Sequence, residues 1–268
     1  MKTVVITGSA GGFGLELAKQ FKSKNCNVVL SDINQQKLQS AVLELEKIQS
    51  DGKVASQVAD VTDFLQLQSL WNFAKTNFEN VDIWINNAGV NQPDKPVFEL
   101  KSEEISFLLD IDLKGAIFGS SVAFAGMKQQ DFGQIYNVEG YGSNNAKMLG
   151  LSIYGTSKRA VTYFCEALAK ESKILTGGKV CICKLTPGIM ITDFIKTANG
   201  GKTKINLPQK TKKVYNILGD YPGTIASYCV PKMLANNKNG YKIAWLTNAR
   251  AFWRFLTAGI KKRNFFED

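Results

Sequence analysis

The sequence of 268 residues contains no histidine. This absence excludes Ser-His nucleophilic pairs and metal sites built on histidine ligands. Any proton transfer must therefore come from the side chains of Tyr, Lys, Asp, Glu or Cys. The sequence also lacks internal repeats, low-complexity linkers and any apolar run long enough to span a bilayer. The charged Lys2 leads directly into "TVVITG", so we expect no signal peptide.

Cysteine is scarce, with five residues and no Cys-x-x-Cys pair. The five are Cys26, Cys165, Cys181, Cys183 and Cys229. An odd, scattered set is not typical of a disulfide framework or a zinc site, which predicts a reduced, cytoplasmic protein without a bound metal. Cys181 and Cys183 would face the same side of a strand, which favours packing in the core.

Positive charge is in excess, with 33 Lys and Arg against 23 Asp and Glu, a net charge of +10. This excess is typical either of a solvated lysine-rich surface or of attraction to an anionic substrate or membrane surface. No signature of a nucleic-acid-binding module accompanies it, so we predict no nucleic-acid partner.

Short apolar, β-branched runs alternate with helix-length amphipathic segments. The predicted strands are 3–7, 27–31, 53–58, 81–86, 133–138 and 179–185, with 242–247 as a candidate for a last strand. This alternation predicts an α/β fold: a Rossmann-type, doubly wound parallel sheet in three αβα layers, as a single domain over 1–268. We expect 190–225 to be irregular and to cover the site, and 248–268 to form a C-terminal extension.

The turn after the first predicted strand is rich in glycine, reading "TGSAGGFG" (7–14). Gly8, Gly12 and Gly14 allow a tight turn and a close approach of the backbone to a diphosphate at a helix N-terminus. In such sheets, ligands bind at the carboxyl ends of the strands. The turn therefore predicts a dinucleotide site.

An acidic residue, Asp32, follows the second strand, 18 residues beyond Gly14. A carboxylate there accepts hydrogen bonds from an adenosine ribose and repels a 2′-phosphate. The nearest cation, Lys37, is not adjacent, so NAD(H) is favoured over NADP(H). The alternative is that Asp32 caps the helix that starts near Gln35.

Tyr154 and Lys158 are spaced i, i+4 on a helix predicted to run to about Ser172. A free tyrosine has a pKa of about 10, which a neighbouring ammonium lowers. Tyrosine can then exchange a proton with a carbonyl or alcohol while hydride moves to or from a nicotinamide. The pair predicts acid–base chemistry at a nicotinamide site.

Taken together, the glycine turn, Asp32, "ADVTD" (59–63), "NNAG" (86–89), "YxxxK" (154–158) and "TPGIMIT" (186–192) resemble the short-chain dehydrogenase/reductase family. The resemblance implies a small-molecule carbonyl or alcohol substrate and a homodimer or homotetramer formed through 101–127 and 151–172. It implies these cofactor-binding residues: Gly8, Ser9, Gly12, Phe13, Gly14, Asp32, Ile33, Asp60, Val61, Asn87, Ala88, Gly89, Tyr154, Lys158, Pro187, Gly188 and Thr192. It also implies Tyr154 as the acid/base and Lys158 as its partner.

The chain departs from the family at two catalytic positions. The family's serine lies 12 to 14 residues before the tyrosine, where this chain has Gly142, Tyr141 and Gly140. Ser143 is the favoured replacement for orienting the substrate, with the Tyr141 phenol and a protonated Glu139 as alternatives. The family's asparagine is replaced by Asp112. Asp112 either supports a proton relay with the lysine or is a helix-interior residue satisfied by local hydrogen bonds.

"NVEGYGS" (137–143) and the aromatic, basic tail "LTNARAFWRFLTAGIKKRN" (246–264) are similar to segments of the chlorophyll(ide) b reductases. That resemblance implies reduction of a formyl group on a bulky, tetrapyrrole-like substrate. The tail also predicts either weak peripheral membrane contact or packing on its own domain or a partner subunit. The missing serine leaves a second hypothesis open, a non-catalytic NAD(H)-binding sensor or scaffold.

Overall fold

A computed structural model describes residues 1–192 and 209–266. Within them, one parallel sheet is built from seven strands in the order β3-β2-β1-β4-β5-β6-β7. The strands are β1 (Thr3–Thr7), β2 (Asn27–Asp32), β3 (Val54–Val58), β4 (Ile83–Asn86), β5 (Gly133–Val138), β6 (Val180–Thr186) and β7 (Lys242–Ala244). The predicted doubly wound α/β sheet is confirmed, with the last strand shorter than expected.

Nine α-helices lie in the described ranges and follow or connect the strands. They are α1 (Gly12–Ser23), α2 (Gln35–Glu46), α3 (Phe64–Phe78), α4 (Ser102–Leu109), α5 (Gly115–Gln130), α6 (Ser152–Thr176), α7 (Gln209–Leu218), α8 (Pro222–Ala235) and α9 (Asn248–Thr257). A 3-10 turn at Val97–Glu99 precedes α4, and a π-helical turn, Asp110–Lys114, joins α4 to α5. Among the described residues, none of the helices is long and apolar enough to cross a membrane.

The sheet separates two apolar cores because successive residues of each strand point to opposite faces. Val4 and Ile6 of β1 pack with α1, α2 and α8, whereas Val5 packs with α3, α5 and α6. All five cysteines are buried and free, and the neighbours Cys181 and Cys183 lie in the first of these cores. The three-layer arrangement follows from strands that are apolar on both faces.

Part of the segment 190–225, predicted to be irregular, is helical: it contains α7 and the first turn of α8. The sequence of α7 has no Gly or Pro, and its Val214, Tyr215, Ile217 and Leu218 cluster toward its C-terminal end. This composition permits a helix although the surrounding sequence is rich in Gly, Lys and Thr. The intervening 193–208 lies outside the described residues, and the covering role of the segment stays a prediction.

Strand β1 lies between β2 and β4, so the direction of winding reverses beside it. At such a switch point the loops at the carboxyl ends of the strands part and leave a crevice. The glycine turn follows β1 and "NNAG" follows β4, so the two predicted motifs meet at this crevice.

Candidate active site

The glycine turn is held in a shape that side chains would disturb. Gly8 and Gly12 adopt φ of +61° and +56°, in the left-handed region that favours glycine. A Cβ on Gly14 would lie 2.4 Å from the Gly8 carbonyl oxygen, so this position also accepts only glycine in this geometry. The buried Ser9 accepts a hydrogen bond from the Ser31 amide and ties the turn to β2. The turn is thus preformed at the N-terminus of α1, and Phe13 anchors that helix in the core.

The segment "NNAG" is bonded directly to the glycine turn. The Asn87 amide group donates to the carbonyl oxygens of Thr7 and Gly8 at 3.0 and 2.9 Å. The Thr7 hydroxyl accepts from the backbone amides of Asn87 and Ala88. These bonds join the loops of two adjacent strands into one wall of the crevice, as the small polar residues of the motif predict.

Asp32 closes the other side of the glycine turn. One carboxylate oxygen accepts from the Ala10 amide at 3.1 Å and the other from the Asn34 amide at 3.0 Å. Asn34 caps α2 by accepting from the Lys37 amide. The alternative role of Asp32 as the cap of that helix is therefore wrong, because Asn34, two residues closer to the helix start, forms the capping bond. Ile33 beside it is exposed.

The loop "ADVTD" after β3 lies at the same edge of the sheet. Asp60 accepts from the Thr62 amide at 2.8 Å, which shapes the turn. Asp63, not Thr62, caps α3 by accepting from two backbone amides. A Cβ on Gly115 would lie 2.8 Å from Val61, so the loop packs closely on the start of α5.

Tyr154 and Lys158 lie in the first two turns of α6, and both are buried. The Lys158 Nζ atom lies 5.5 Å from the centre of the Tyr154 ring. An unforeseen residue, Gln92, positions this helix start: its buried side-chain oxygen accepts from the Ile153 and Tyr154 amides at 2.8 and 3.1 Å. Amides of a first helical turn have no partner within the helix, so Gln92 supplies one from a distant loop.

Asp112 forms a buried ion pair with Lys158. The distance from its Oδ2 atom to Lys158 Nζ is 2.9 Å, and both side chains are almost fully enclosed. Its Oδ1 atom accepts from the Val90 amide at 2.7 Å. The residue lies in the π-helical turn Asp110–Lys114, which separates α4 from α5. Such turns recur at functional sites because the extra residue redirects a side chain.

The ion pair touches the wall formed by "NNAG". A Cβ on Gly89 would lie 3.3 Å from Asp112 Oδ1 and 3.5 Å from Lys158 Nζ. The glycine therefore lets the backbone run beside both charges. The β4 loop, the π-helical turn and α6 converge at this point.

The protonation tendencies of the pair follow from burial and charge. Burial alone would lower the pKa of Lys158, but Asp112 and Tyr154 hold that pKa above its ordinary value. Burial raises the pKa of Tyr154, and Lys158 opposes it as predicted without overcoming it. The negative charge of Asp112 adds to the rise. Tyr154 is thus a protonated acid beside a charged lysine at neutral pH.

Similarity to known proteins agrees with this geometry. A family model described as short chain dehydrogenase matches residues 2–202. The chain belongs to the short-chain dehydrogenase/reductase family. The fold matches the crystal structure of levodione reductase with a TM-score of 0.82 and 22% identity, covering 93% of this chain and 98% of that one.

Two curated relatives come from rice, Oryza sativa subsp. japonica. The first, a probable chlorophyll(ide) b reductase NYC1, chloroplastic, is 28% identical over all of this chain and 54% of its own length. The second, a chlorophyll(ide) b reductase NOL, chloroplastic, is 31% identical over 95% of this chain and 74% of its own length. The chain thus spans about half the length of NYC1. The predicted family is confirmed, as is the resemblance to chlorophyll(ide) b reductases.

Gly140 is one of the three positions at which the family's serine would lie, and its missing side chain leaves room for Tyr154. A Cβ on Gly140 would lie 2.2 Å from the Tyr154 phenol oxygen and 2.9 Å from its Cζ atom. The next glycine, Gly142, has φ of +96° and packs on Gly155 of α6. The loop therefore runs closer to the tyrosine than a side chain at 140 allows.

The three candidates for the missing hydroxyl have different surroundings. The buried Ser143 hydroxyl accepts from the Gly140 amide and donates to the Lys158 carbonyl oxygen, at 3.2 and 3.3 Å. The Tyr141 hydroxyl donates to the Lys147 carbonyl oxygen, and the residue is exposed. Contact of either hydroxyl with a substrate stays a prediction.

The partners of the Glu139 carboxylate lie on α6, β6 and β7. It accepts from the hydroxyls of Thr162 and Thr186 and pairs with Lys242 at 2.7 Å. Burial alone would raise the pKa of Glu139, but these partners together hold it below its ordinary value. An ionised carboxylate has no proton to donate, which disfavours Glu139 as a replacement for the serine.

The Pro-Gly segment follows β6. Gly188 has φ of +78°, and a Cβ there would lie 2.7 Å from the Leu246 side chain. Pro187 precedes it, and the half-buried Thr192 ends the first described range. Beyond Gly188, the Ile189 and Ile191 backbones exchange hydrogen bonds with Asp220, which places the start of α8 beside this loop.

Proposed function

We propose that the chain is an NAD(H)-dependent reductase that converts a carbonyl, in particular a formyl group on a bulky ring, into an alcohol. The arrangement that carries the proposal is the buried acid Tyr154 beside the Lys158–Asp112 ion pair, at the crevice beside the glycine turn. A bound nicotinamide cofactor would supply hydride for the carbonyl carbon. Tyr154 donates its proton to the carbonyl oxygen, and Lys158 stabilises the phenolate that remains.

The residues present fit a dinucleotide. The glycine turn offers backbone N–H groups at the start of a helix, which favour a diphosphate. Asp32 stands at the end of β2 with its carboxylate already oriented by two backbone amides. Lys158 lies beside the Gly89 backbone, where it would hold the ribose of the nicotinamide. These contacts support a site for adenosine at Asp32 and for the nicotinamide ribose at Lys158.

A preference for NAD(H) over NADP(H) is expected because Asp32 is a fixed negative charge without an adjacent cation. Asp32→Ala should weaken NADH binding roughly tenfold and bring the KM values for NADH and NADPH together. Steady-state kinetics with both nucleotides measure this change. Asp51→Ala, which removes an exposed acid elsewhere, is the matched control. If Asp32→Ala leaves the preference for NADH over NADPH unchanged, Asp32 only supports the structure of the glycine turn.

The substrate class is supported by the relatives named chlorophyll(ide) b reductases and by Gly140, which adds no side chain beside the Tyr154 hydroxyl. Kinetics on a panel of aldehydes and ketones test it. Bulky aromatic aldehydes should give higher kcat/KM than acetaldehyde or acetone. Equal rates across the panel would remove the proposed preference for bulky formyl groups.

A serine placed at position 140 should damage the site instead of improving it. Gly140→Ser and Gly140→Ala both place a Cβ against the Tyr154 phenol, so each should lower kcat by a factor of roughly 10², the cost typical of a misplacement of about 1 Å. Lys147→Gln, an exposed change in the same loop, should leave kcat near that of the wild type. If Gly140→Ser matches or exceeds the wild type, the loop relaxes freely and the close approach is not essential.

The proposed role of Ser143 in orienting the substrate can be separated from its role in holding the loop. Ser143→Ala removes both, whereas Ser143→Cys keeps a weak donor of similar size.

The relatives described above are named as reductases, which gives no support to a non-catalytic sensor.

We further propose a homodimer or homotetramer through α4, α5 and α6. Exposed Phe107 and Tyr163 on these helices support such an interface. Sedimentation of the full chain tests this assembly. A cytoplasmic location stays a prediction.

A further inference from the structure

Helix α9 in the C-terminal extension packs on its domain with its polar face. Arg250 lies over the Trp245 ring, 3.8 Å from its centre, and donates to the Trp245 carbonyl oxygen. Arg254 pairs with the buried Asp220 at 2.7 Å, and Arg263, beyond the helix, pairs with the same carboxylate. These contacts fix the orientation of α9 because each arginine would lose its partners if the helix turned.

The opposite face of α9 is apolar and faces solvent. Phe252, Trp253, Phe255 and Leu256 are exposed to 62%, 64%, 52% and 59%, and Ile260 beyond the helix to 87%. With about 100° of rotation per residue, the four helical side chains fall within an arc of roughly 160° that excludes both arginines. A surface helix normally buries its apolar stripe, so this reversed arrangement marks a contact surface.

The charge around this face is positive. From Trp245 to Phe266 the sequence has five cations and no Asp or Glu. The exposed Lys261 and Lys262 adjoin the apolar residues. Among the described residues, a cavity of about 1110 Å³ behind them is lined by six Lys and Arg side chains and by Asp220. An anionic partner is therefore favoured.

A second copy of the chain is disfavoured as the occupant. In a two-fold interface the same patch meets itself. Even with Glu267 and Asp268 counted, the segment from Trp245 onward carries five positive and two negative charges, a net +3 against +3.

We propose that the exposed face of α9, with Ile260, Lys261 and Lys262, binds the surface of an anionic lipid bilayer. Aromatic and aliphatic side chains would enter the interfacial region, and the two lysines would lie at the level of the headgroups. The domain stays peripheral, held by one short helix. This binding is independent of the proposed reductase activity.

Co-sedimentation of the full chain with phosphatidylcholine vesicles, with and without phosphatidylglycerol, tests this surface at low salt. The chain should bind the anionic vesicles and bind the neutral ones far less. Lys261→Gln/Lys262→Gln should weaken binding roughly thirtyfold, since each lysine near an anionic surface contributes a factor of about five. Phe252→Ser/Leu256→Ser should weaken it by at least about tenfold. All four positions are exposed, so the variants should fold.

Matched controls separate this surface from the net charge of the chain. Lys47→Gln/Lys53→Gln and Ile174→Ser/Leu175→Ser change exposed residues elsewhere and should bind as the wild type does. Absence of binding to anionic vesicles overturns the proposal. Equal losses in the controls overturn it too, because binding would then be diffuse. Self-association that Phe252→Ser/Leu256→Ser abolishes, without vesicle binding, would assign the face to a second copy.

Discussion

Tyr154→Phe is expected to lose turnover by a factor of roughly 10² to 10⁴ while binding NADH as tightly as the wild type. The change removes only the phenol oxygen from a buried ring, so the packing of α6 is kept. The lost oxygen is the proposed proton donor, and Lys158 Nζ lies 5.5 Å from the centre of the same ring. Steady-state kinetics on an aromatic aldehyde, together with NADH titration by fluorescence, measure the two effects separately.

The control for this variant lies on the same helix. Tyr163 is an exposed tyrosine of α6, and Tyr163→Phe should leave turnover unchanged. Retained turnover in Tyr154→Phe would contradict the assignment of Tyr154 as the proton donor. Loss of both turnover and NADH binding would instead indicate that the ring hydroxyl supports the fold of the site.

Asp112→Ala is expected to lower the free energy of unfolding by about 3–5 kcal/mol, because it leaves the Lys158 ammonium buried without its partner. The Val90 amide also loses its acceptor. Turnover should fall with stability, since Lys158 would shed its charge or move away from Tyr154. Urea denaturation followed by circular dichroism measures the change at equilibrium.

The same π-helical turn offers a matched control. Asp110 pairs with Lys114 at 2.7 Å, but both side chains are nearly half exposed. Asp110→Ala should therefore cost at most about 1 kcal/mol. Asp112→Asn keeps the size and an acceptor for Val90 and should lie between the two. If Asp112→Ala is no more destabilising than Asp110→Ala, the buried pair is not a determinant of the site.

The strands and the cofactor loops were predictable because local signals govern them. Strands buried on both faces read as continuous apolar runs, and the positive φ angles at Gly8 and Gly12 require glycine in the turn. The pairing of Asp112 with Lys158 was one of two interpretations of the sequence. The two residues lie 46 positions apart, and only the family pattern relates them.

Other features depend on contacts that no local pattern encodes. The Gln92 side chain bonds to the start of α6, 61 and 62 positions further along the chain. Glu139, which follows β5, pairs with Lys242 of β7. The orientation of α9, with its apolar face toward solvent, was also not predicted. It depends on contacts of Arg254 with Asp220 and of Arg250 with Trp245, which hold the arginines on the inner side. The π-helical turn interrupts a segment whose composition is compatible with a continuous helix.

Single-turnover oxidation of bound NADH by bulky aromatic aldehydes tests the central claim most directly. The account predicts that nicotinamide absorbance decays in one exponential phase, that the aldehyde is recovered as the alcohol, and that Tyr154→Phe slows the decay at least about a hundredfold. Tight binding of NADH with complete inertness across the aldehydes would contradict it and would favour a protein that binds the nucleotide without turning it over.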